Sequence, residues 1–316
     1  MPRAEPVFPT PLRLSLSTCW NSHRHTDGRA LAAEARELGF EWIEVSHGTR
    51  LSLLPGLLEA VQAGEIRVSS LHNFCPAPVE VMIDAPDAYE FTSASAAERE
   101  RALTLTRRTL EMAVRFGTDR VVVHLGRLPL PDFTARLENI AQDGGLYSRA
   151  YCALKLQLVA ERAKVAQAGL DRVRTALDAL LPDCEKHGVR LGLETRSHFE
   201  QIPSPEELPR LLAHYAECPW IGAWHDFGHV QRQANLALVD HAAYLTALAP
   251  RLIGCHVHDV RWPARDHRAP LSTGGVDLPG LLPLVPAGVP LVWEVSPSQK
   301  REDMHAALDL WRTRFG

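Results

Sequence analysis

The sequence predicts a single α/β domain folded as a (β/α)8 barrel, and three observations point there. Short runs rich in Val, Ile and Leu alternate with longer helical patterns along the whole chain, as parallel βαβ construction requires. About eight such runs occur, the number that a closed barrel needs. Most of them end on an acid or a histidine, at the end of the strand where a barrel carries its chemistry.

The strand candidates are Leu12 to Thr18, Trp42 to Ser46, Arg67 to Asn73, Arg120 to Leu125, Arg190 to Thr195, Ile221 to Asp226, Leu252 to His258 and Leu291 to Ser296. Helical periodicity between them predicts helices such as Gly28 to Leu38, Leu53 to Ala63, Ala97 to Phe116, Pro205 to Ala216 and His241 to Ala249. Residues 1–11 read as a flexible, proline-containing arm, and 12–316 as the barrel. An insertion over 127–150 follows the fourth strand, with a polar, proline-containing excursion from Arg127 to about Tyr147. The helical pattern from Arg149 to His187 is long for a globular helix, and Gly169 is expected to break or kink it. After the seventh strand, the loop from Arg261 to Asp277 carries Trp262, Asp266, His267, Arg268 and two adjacent glycines. Loops in that position line the catalytic face of a barrel.

Composition bounds the function. A chain of 316 residues with 46% hydrophobic content can bury a full core as one domain. The net charge of -4, with Lys and Arg dispersed, leaves no basic run to track phosphates, so no nucleic-acid partner is expected. The six cysteines are scattered with no Cys-x-x-Cys pair, which fits a reducing cytoplasm. No stretch approaches the roughly 18 apolar residues of a membrane span, and the N-terminal segment lacks a signal-peptide core, so no membrane partner is expected.

The polar residues that interrupt the apolar strands carry the chemistry. They are His72 in SSLHNF, His124 in VVVHLG, Glu194 in LGLETR, Asp226 in GAWHDFGH, His256 and His258 in GCHVHD, and Glu294 in VWEVSP. Because side chains alternate across a strand, His256 and His258 share one face, as do Trp224 and Asp226, while Leu193, Val257, Trp293 and Val295 fall on the other. One such residue alone is ordinarily a hydrogen-bonded structural group; successive strands ending this way are not explained so. Carboxylates gathered within a few ångströms resist ionisation unless a cation balances them. Mixed carboxylate and imidazole donors suit a divalent metal, Mn²⁺, Co²⁺, Mg²⁺ or Zn²⁺.

Other candidates surround this set. Trp20, Asn21 and Arg24 follow the first strand and are expected to bind substrate, Trp20 by stacking on a sugar face and Arg24 by holding an anionic group. Arg196, two residues beyond Glu194, points into the same mouth and is expected to pair with Glu194 or with substrate. Glu44, Ser46, His47 and Arg50 are candidates for support from the second strand. His225 is expected to face away, and His23 and His198 to be solvated.

The LETR strand end, the D-x-x-H of Asp226 and His229, the HVHD strand end followed by RDHRAPLSTGGVDL, and the WEVSP strand end resemble the xylose isomerase-like TIM-barrel superfamily. That superfamily holds sugar isomerases, ketose 3-epimerases, inosose dehydratases and the endonuclease IV enzymes. The resemblance covers the chain from Leu12 to the last helix. It implies a four-ligand metal site on Glu194, Asp226, His258 and Glu294, with His229 beside it on substrate or a further metal. His258 is preferred to His256 because it lies nearer the strand end and the family's pattern puts the ligand at the second histidine; His256 then sits a layer deeper, among the substrate-binding candidates. By the same resemblance Glu194 and Glu294 are the catalytic pair, standing on opposite faces of the substrate and moving protons.

His72 and His124 match positions where the endonuclease IV members hold additional metals, with substrate hydrogen bonding as their alternative role. Asp266 and His267 fall where those members carry Asp-x-His, although this chain reads Asp266-His267-Arg268. The resemblance thus implies an isomerase or epimerase acting on a sugar, sugar acid or cyclitol, with Mn²⁺ as the expected ion, no organic cofactor and assembly as a homodimer. The alternatives are an inosose-type dehydratase, a multi-zinc hydrolase of phosphodiester type, and a non-catalytic sugar-binding protein.

Overall fold

The computed structural model describes residues 13–81 and 86–316; the expected arm over 1–11, with Leu12, lies outside the described residues. Eight parallel strands close into a barrel: β1 (Leu14–Ser17), β2 (Trp42–Val45), β3 (Arg67–His72), β4 (Arg120–Val123), β5 (Arg190–Glu194), β6 (Ile221–Asp226), β7 (Leu252–Val257) and β10 (Leu291–Trp293). Strands β1 to β7 pair with their sequence neighbours, and β10 closes the ring between β7 and β1. An antiparallel hairpin that the sequence did not announce, β8 (Asp259–Arg261) and β9 (Arg265–Arg268), fills the loop after β7. The strands stop up to three residues short of the expected ends, so His258 and Glu294 stand just beyond them.

Helices α1 (Gly28–Leu38), α2 (Leu54–Gln62), α3 (Ala96–Phe116), α4 (Phe133–Gln142), α5 (Arg149–His187), α6 (Glu207–His214), α7 (Phe227–Asn235), α8 (His241–Leu248), α9 (Leu278–Leu281) and α10 (Arg301–Phe315) follow in order. Their faces explain their seats. In α1, Leu31, Ala32, Ala35 and Leu38 recur at helical spacing and are buried, while Asp27 caps the first turn by accepting from the Ala30 N–H. The apolar outward residues of the strands, such as Ile43, Val121, Leu193 and Val257, join these faces in one large core. None of the helices among the described residues is long and apolar enough to cross a membrane.

Two expectations are corrected. The excursion after β4 contains a helix: Asp132 caps α4 by accepting from the Ala135 N–H, and Phe133, Leu137 and Ala141 pack with Tyr151, Leu154 and Leu158 of α5. Gly169 does not break α5, which runs unbroken over 39 residues. A Cβ there would lie 2.6 Å from Ile202 Cδ1 and 2.8 Å from Leu128 Cδ2, so the glycine lets the loops after β4 and β5 press against the helix.

That contact is reinforced by a buried ion pair. Arg162 of α5 grips both oxygens of Glu207 and donates through Nε to the Phe199 carbonyl at 2.7 Å, while the Ser204 N–H donates to Glu207 Oε2 at 2.8 Å. Removing one partner strands a buried charge, so Arg162→Met should cost about 3–5 kcal/mol. Urea denaturation should show this as a lower midpoint, and the double change Arg162→Met with Glu207→Leu should recover much of it.

Candidate active site

The layer beneath the barrel mouth is set by Trp224. Its ring lies inside the barrel with Val122 and Val292, and a Cβ on Gly254 would stand 1.9 Å from it. Above that apolar plug the polar ends of β2, β3, β5, β6, β7 and β10 converge.

One donor set is complete. His256 Nδ1 and carboxylate oxygens of Glu194, Asp226 and Glu294 all lie within 4.8 Å of one another, and all four residues are buried. His256 Nδ1 stands 3.4 Å from Glu194 Oε1, 3.6 Å from Asp226 Oδ2 and 3.4 Å from Glu294 Oε2. Its other nitrogen meets Glu44 at 3.1 and 3.2 Å. A carboxylate only accepts, so Nε2 keeps a proton on Glu44 and Nδ1 is the atom left facing the three acids, where an ion would take the place of a proton. Glu44 is itself fixed by Ser17 Oγ at 3.2 Å and Ser70 Oγ at 2.8 Å, so the ring is oriented from behind as metal-binding histidines usually are. Four acceptor atoms aimed at one point repel unless a cation or protons lie among them, and this donor chemistry fits a divalent metal.

The expected ligand His258 is not in this set, and His256 takes its place. The β6–β7 register pairs Asp226 with His256, so these two residues are level, while His258 lies past the end of β7. The His267 N–H donates to His258 Nδ1 at 2.9 Å, which leaves the His258 proton on Nε2, facing Asp226 Oδ1 at 2.9 Å. Asp226 raises the His258 pKa against the opposing effect of burial, but the backbone N–H at Nδ1 opposes a second proton. His258 thus holds Asp226 in place. A Cβ on Gly228 would stand 2.0 Å from the His258 ring, so only glycine admits the ring there. Asp226 is fixed a second time as the N-cap of α7, accepting from the His229 N–H at 2.7 Å.

The remaining histidines are oriented by the same logic. His72 donates through Nδ1 to the Asn73 carbonyl at 3.0 Å, and His124 donates through Nδ1 to Asp87 at 2.7 Å. Their Nε2 atoms then face Glu194 Oε2, at 3.2 and 2.7 Å. His229 donates through Nδ1 to the Thr195 carbonyl at 3.1 Å, and His267 through Nδ1 to the Glu294 carbonyl at 3.0 Å. His229, His258 and His267 form a second group with ring nitrogens within 4.8 Å, and His47, His72 and Glu294 a third. Asp266 joins none of these groups among the described residues; it pairs with Arg232 at 2.7 Å, and Arg232 also binds Glu138.

Electrostatics follow from this arrangement. Burial pushes the Glu194 carboxyl up, but His124, His229 and His256 outweigh it and hold it well below the usual range. Asp226 is held low against burial by His229 and His258, and Glu294 is brought to about 2 against burial by His256 and His267. Burial lowers His256, yet Glu294 and Glu44 raise it well above the ordinary imidazole value.

The loop after β1 departs from expectation. The Trp20 ring is 1% exposed, donates to the Gln299 carbonyl at 2.9 Å and is covered by the Arg24 guanidinium at 4.1 Å. Arg24 also binds Glu34 at 2.8 Å, and Asn21 Nδ2 donates to Glu34 and to the Leu31 carbonyl. These contacts anchor the loop to α1. Arg196 does reach the mouth: it is buried, 3.7 Å from Glu194 Oε2, and its Nε and Nη1 have no hydrogen-bond partner among the described residues. Asp87, which contacts both His124 and Arg196, was missed because nothing in the surrounding loop sequence marks it.

His225 faces away, as alternation predicts, and its Nε2 lies 3.0 Å from His241 Nε2. His198, expected in solvent, is half-buried, and burial with the nearby Arg232 lowers it to about 4. Burial likewise lowers His241 to about 4. An imidazole kept neutral in the fold but free to charge when unfolded contributes stability above its unfolded pKa near 6.5, and that contribution is lost as pH falls from there towards 4. The Tm should therefore drop more between pH 7 and 5 in the wild type than in His241→Gln.

This fold and mouth define a barrel of the xylose isomerase-like kind. The chain belongs to that family: the family model described as xylose isomerase-like TIM barrel matches residues 32–313. Among solved structures, it is similar to a D-tagatose 3-epimerase-like protein, at 18% identity and TM-score 0.67 over 96% of this chain and 97% of that one. It is also similar to 3-keto-D-glucoside 4-epimerase from E. coli, at 14% and 0.66 over 96% and 99%, and to D-allulose 3-epimerase from Methylomonas sp. in complex with D-allulose, at 16% and 0.64 over 99% and 100%. At these identities the likeness is one of fold. Comparison with curated proteins gives no match.

Proposed function

We propose that the protein is a divalent-metal-dependent isomerase or epimerase that moves a proton beside a carbonyl in a sugar, sugar acid or cyclitol. The convergence of His256 Nδ1 with Glu194, Asp226 and Glu294 carries this reading. These four residues would hold the ion, with Mn²⁺ the one expected; when bound, it would polarise a substrate carbonyl and so lower the cost of taking the adjacent proton. Glu194 and Glu294 are ionised at neutral pH and so able to accept a proton. They stand at the end of β5 and just beyond β10, which β6 and β7 separate in the ring, so they approach the mouth from different strands. Arg196, with N–H groups beside Glu194 that no described residue accepts from, is suited to a substrate oxygen. The two sugar epimerases reported among the similar folds are consistent with this class. The six cysteines are free, which suits the cytoplasm proposed as its compartment, and a homodimer is the proposed assembly.

The test is proton exchange. Incubated with Mn²⁺ and a panel of ketoses in D₂O, the protein should place deuterium on a carbon next to the carbonyl. Absence of exchange in every ketose, keto acid and inosose would contradict the reading, while loss of water from an inosose would favour the dehydratase variant.

One observation favours a second reading, a multi-zinc hydrolase. His72 and His124 both aim Nε2 at Glu194 Oε2, with Nδ1 fixed from behind, an arrangement that would also serve a further metal. Metal analysis separates the two readings: one ion per chain supports the isomerase, and two or three tightly held zincs the hydrolase.

A further inference from the structure

Asp87, in the segment between β3 and α3, touches none of the clustered carboxylates, yet both of its oxygens act on one of them. Oδ1 lies 2.7 Å from His124 Nδ1, and Oδ2 lies 3.1 Å from Arg196 Nη2. Each partner reaches onward to the same atom: His124 Nε2 is 2.7 Å from Glu194 Oε2, and Arg196 Nη1 is 3.7 Å from it. The other oxygen, Oε1, faces His229 at 3.3 Å and His256 at 3.4 Å. Glu194 therefore has two unlike ends: Oε1 lies among the convergent donors, and Oε2 meets His72 at 3.2 Å and the pair His124 and Arg196, a frame that Asp87 closes.

We propose that Asp87 is a positioning residue: by holding the His124 ring and the Arg196 guanidinium together, it keeps the Glu194 carboxylate from rotating and so sets the direction in which that carboxylate meets the substrate's proton. This inference rests on the reading of Glu194 as the proton-moving group. The physics is that of an imidazole oriented by a carboxylate. An acceptor at Nδ1 keeps a proton there and fixes the orientation of the ring, and losing such an outer partner ordinarily costs 10- to 100-fold in function. Among the described residues His124 Nδ1 bonds Asp87 alone and Arg196 makes no other side-chain hydrogen bond as a donor.

Histidine-selective ¹⁵N labelling, with long-range ¹H–¹⁵N spectra, reads the His124 tautomer directly. The wild type should show His124 protonated at Nδ1, and Asp87→Ala should lose that fixed state. Asp87→Asn, whose carbonyl still accepts from Nδ1, should keep it. In the exchange assay Asp87→Ala should lower kcat about 10- to 100-fold with KM within about twofold, and Asp87→Asn should recover part of the loss. Mn²⁺ affinity by calorimetry should fall much less than kcat in both variants, because Glu194 Oε1 still faces the donor set. An unchanged His124 tautomer in Asp87→Ala would overturn the proposal. So would a fall in Mn²⁺ affinity as large as the fall in kcat, since that would mark a general loss of the site's structure. If the wild type itself exchanges no proton, the functional reading fails by that result, and the tautomer and Mn²⁺ measurements still decide the frame.

Discussion

Replacing His256 by Ala should weaken Mn²⁺ binding by more than about 100-fold, whereas His258→Ala should weaken it by only about 10-fold. The two histidines are two residues apart and both touch Asp226, so the contrast is a sharp one. His256 presents Nδ1 to all three acids, and its loss opens the donor set. His258 presents an N–H to Asp226 alone, and Asp226 keeps its hold on the His229 N–H when that ring is gone. Calorimetric titration of the metal-free protein measures both. The pH dependence has a definite sign. Burial lowers the His256 pKa and the Glu294 and Glu44 carboxylates raise it further, so taking an ion displaces a proton from Nδ1 and affinity should climb as pH rises from 6 to 8. Glu44→Gln, which no longer dictates the proton on Nε2, should fall between the wild type and His256→Ala.

The second large effect is on turnover. Glu194→Gln and Glu294→Gln should each lower kcat by about 10²- to 10⁴-fold, because an amide fills the same volume but cannot take a proton. Both changes also remove a negative charge from the donor set, so Mn²⁺ affinity should fall as well, and rates must be compared at saturating metal. Under that condition a loss confined to kcat marks proton transfer, and a loss confined to KM marks binding. Thermal unfolding of the metal-free variants controls for the fold. If either variant turned over at the wild-type rate, its carboxylate would not be the group that moves the proton.

Much of this was legible in the sequence because it depends on period and position. Eight β-rich segments with helices between them are enough for the barrel, and a side-chain period of two puts Glu194, Asp226 and the HVHD histidines on its inner face. What escaped depends on distances across the ring. Alternation allows both His256 and His258 to face inward; only the inter-strand register, which makes Asp226 level with His256, separates them. The position of Asp87 follows from the path of an irregular segment, for which sequence offers no period. Trp20 and Arg24 looked like substrate contacts because aromatic and cationic groups after a strand suit a sugar, but Glu34, ten residues on from Arg24, captures that arginine. Gly169 looked like a break because glycine is a poor helix former, whereas here close packing of Leu128 and Ile202 requires it.

The most direct test is an anomalous difference map from crystals grown with Mn²⁺. A peak is predicted within bonding distance of His256 Nδ1 and of carboxylate oxygens from Glu194, Asp226 and Glu294, with His258 hydrogen-bonded to Asp226 and not to the ion. A peak bonded to His258 in place of His256, or none at a Mn²⁺ concentration that stabilises the protein in solution, would contradict the account.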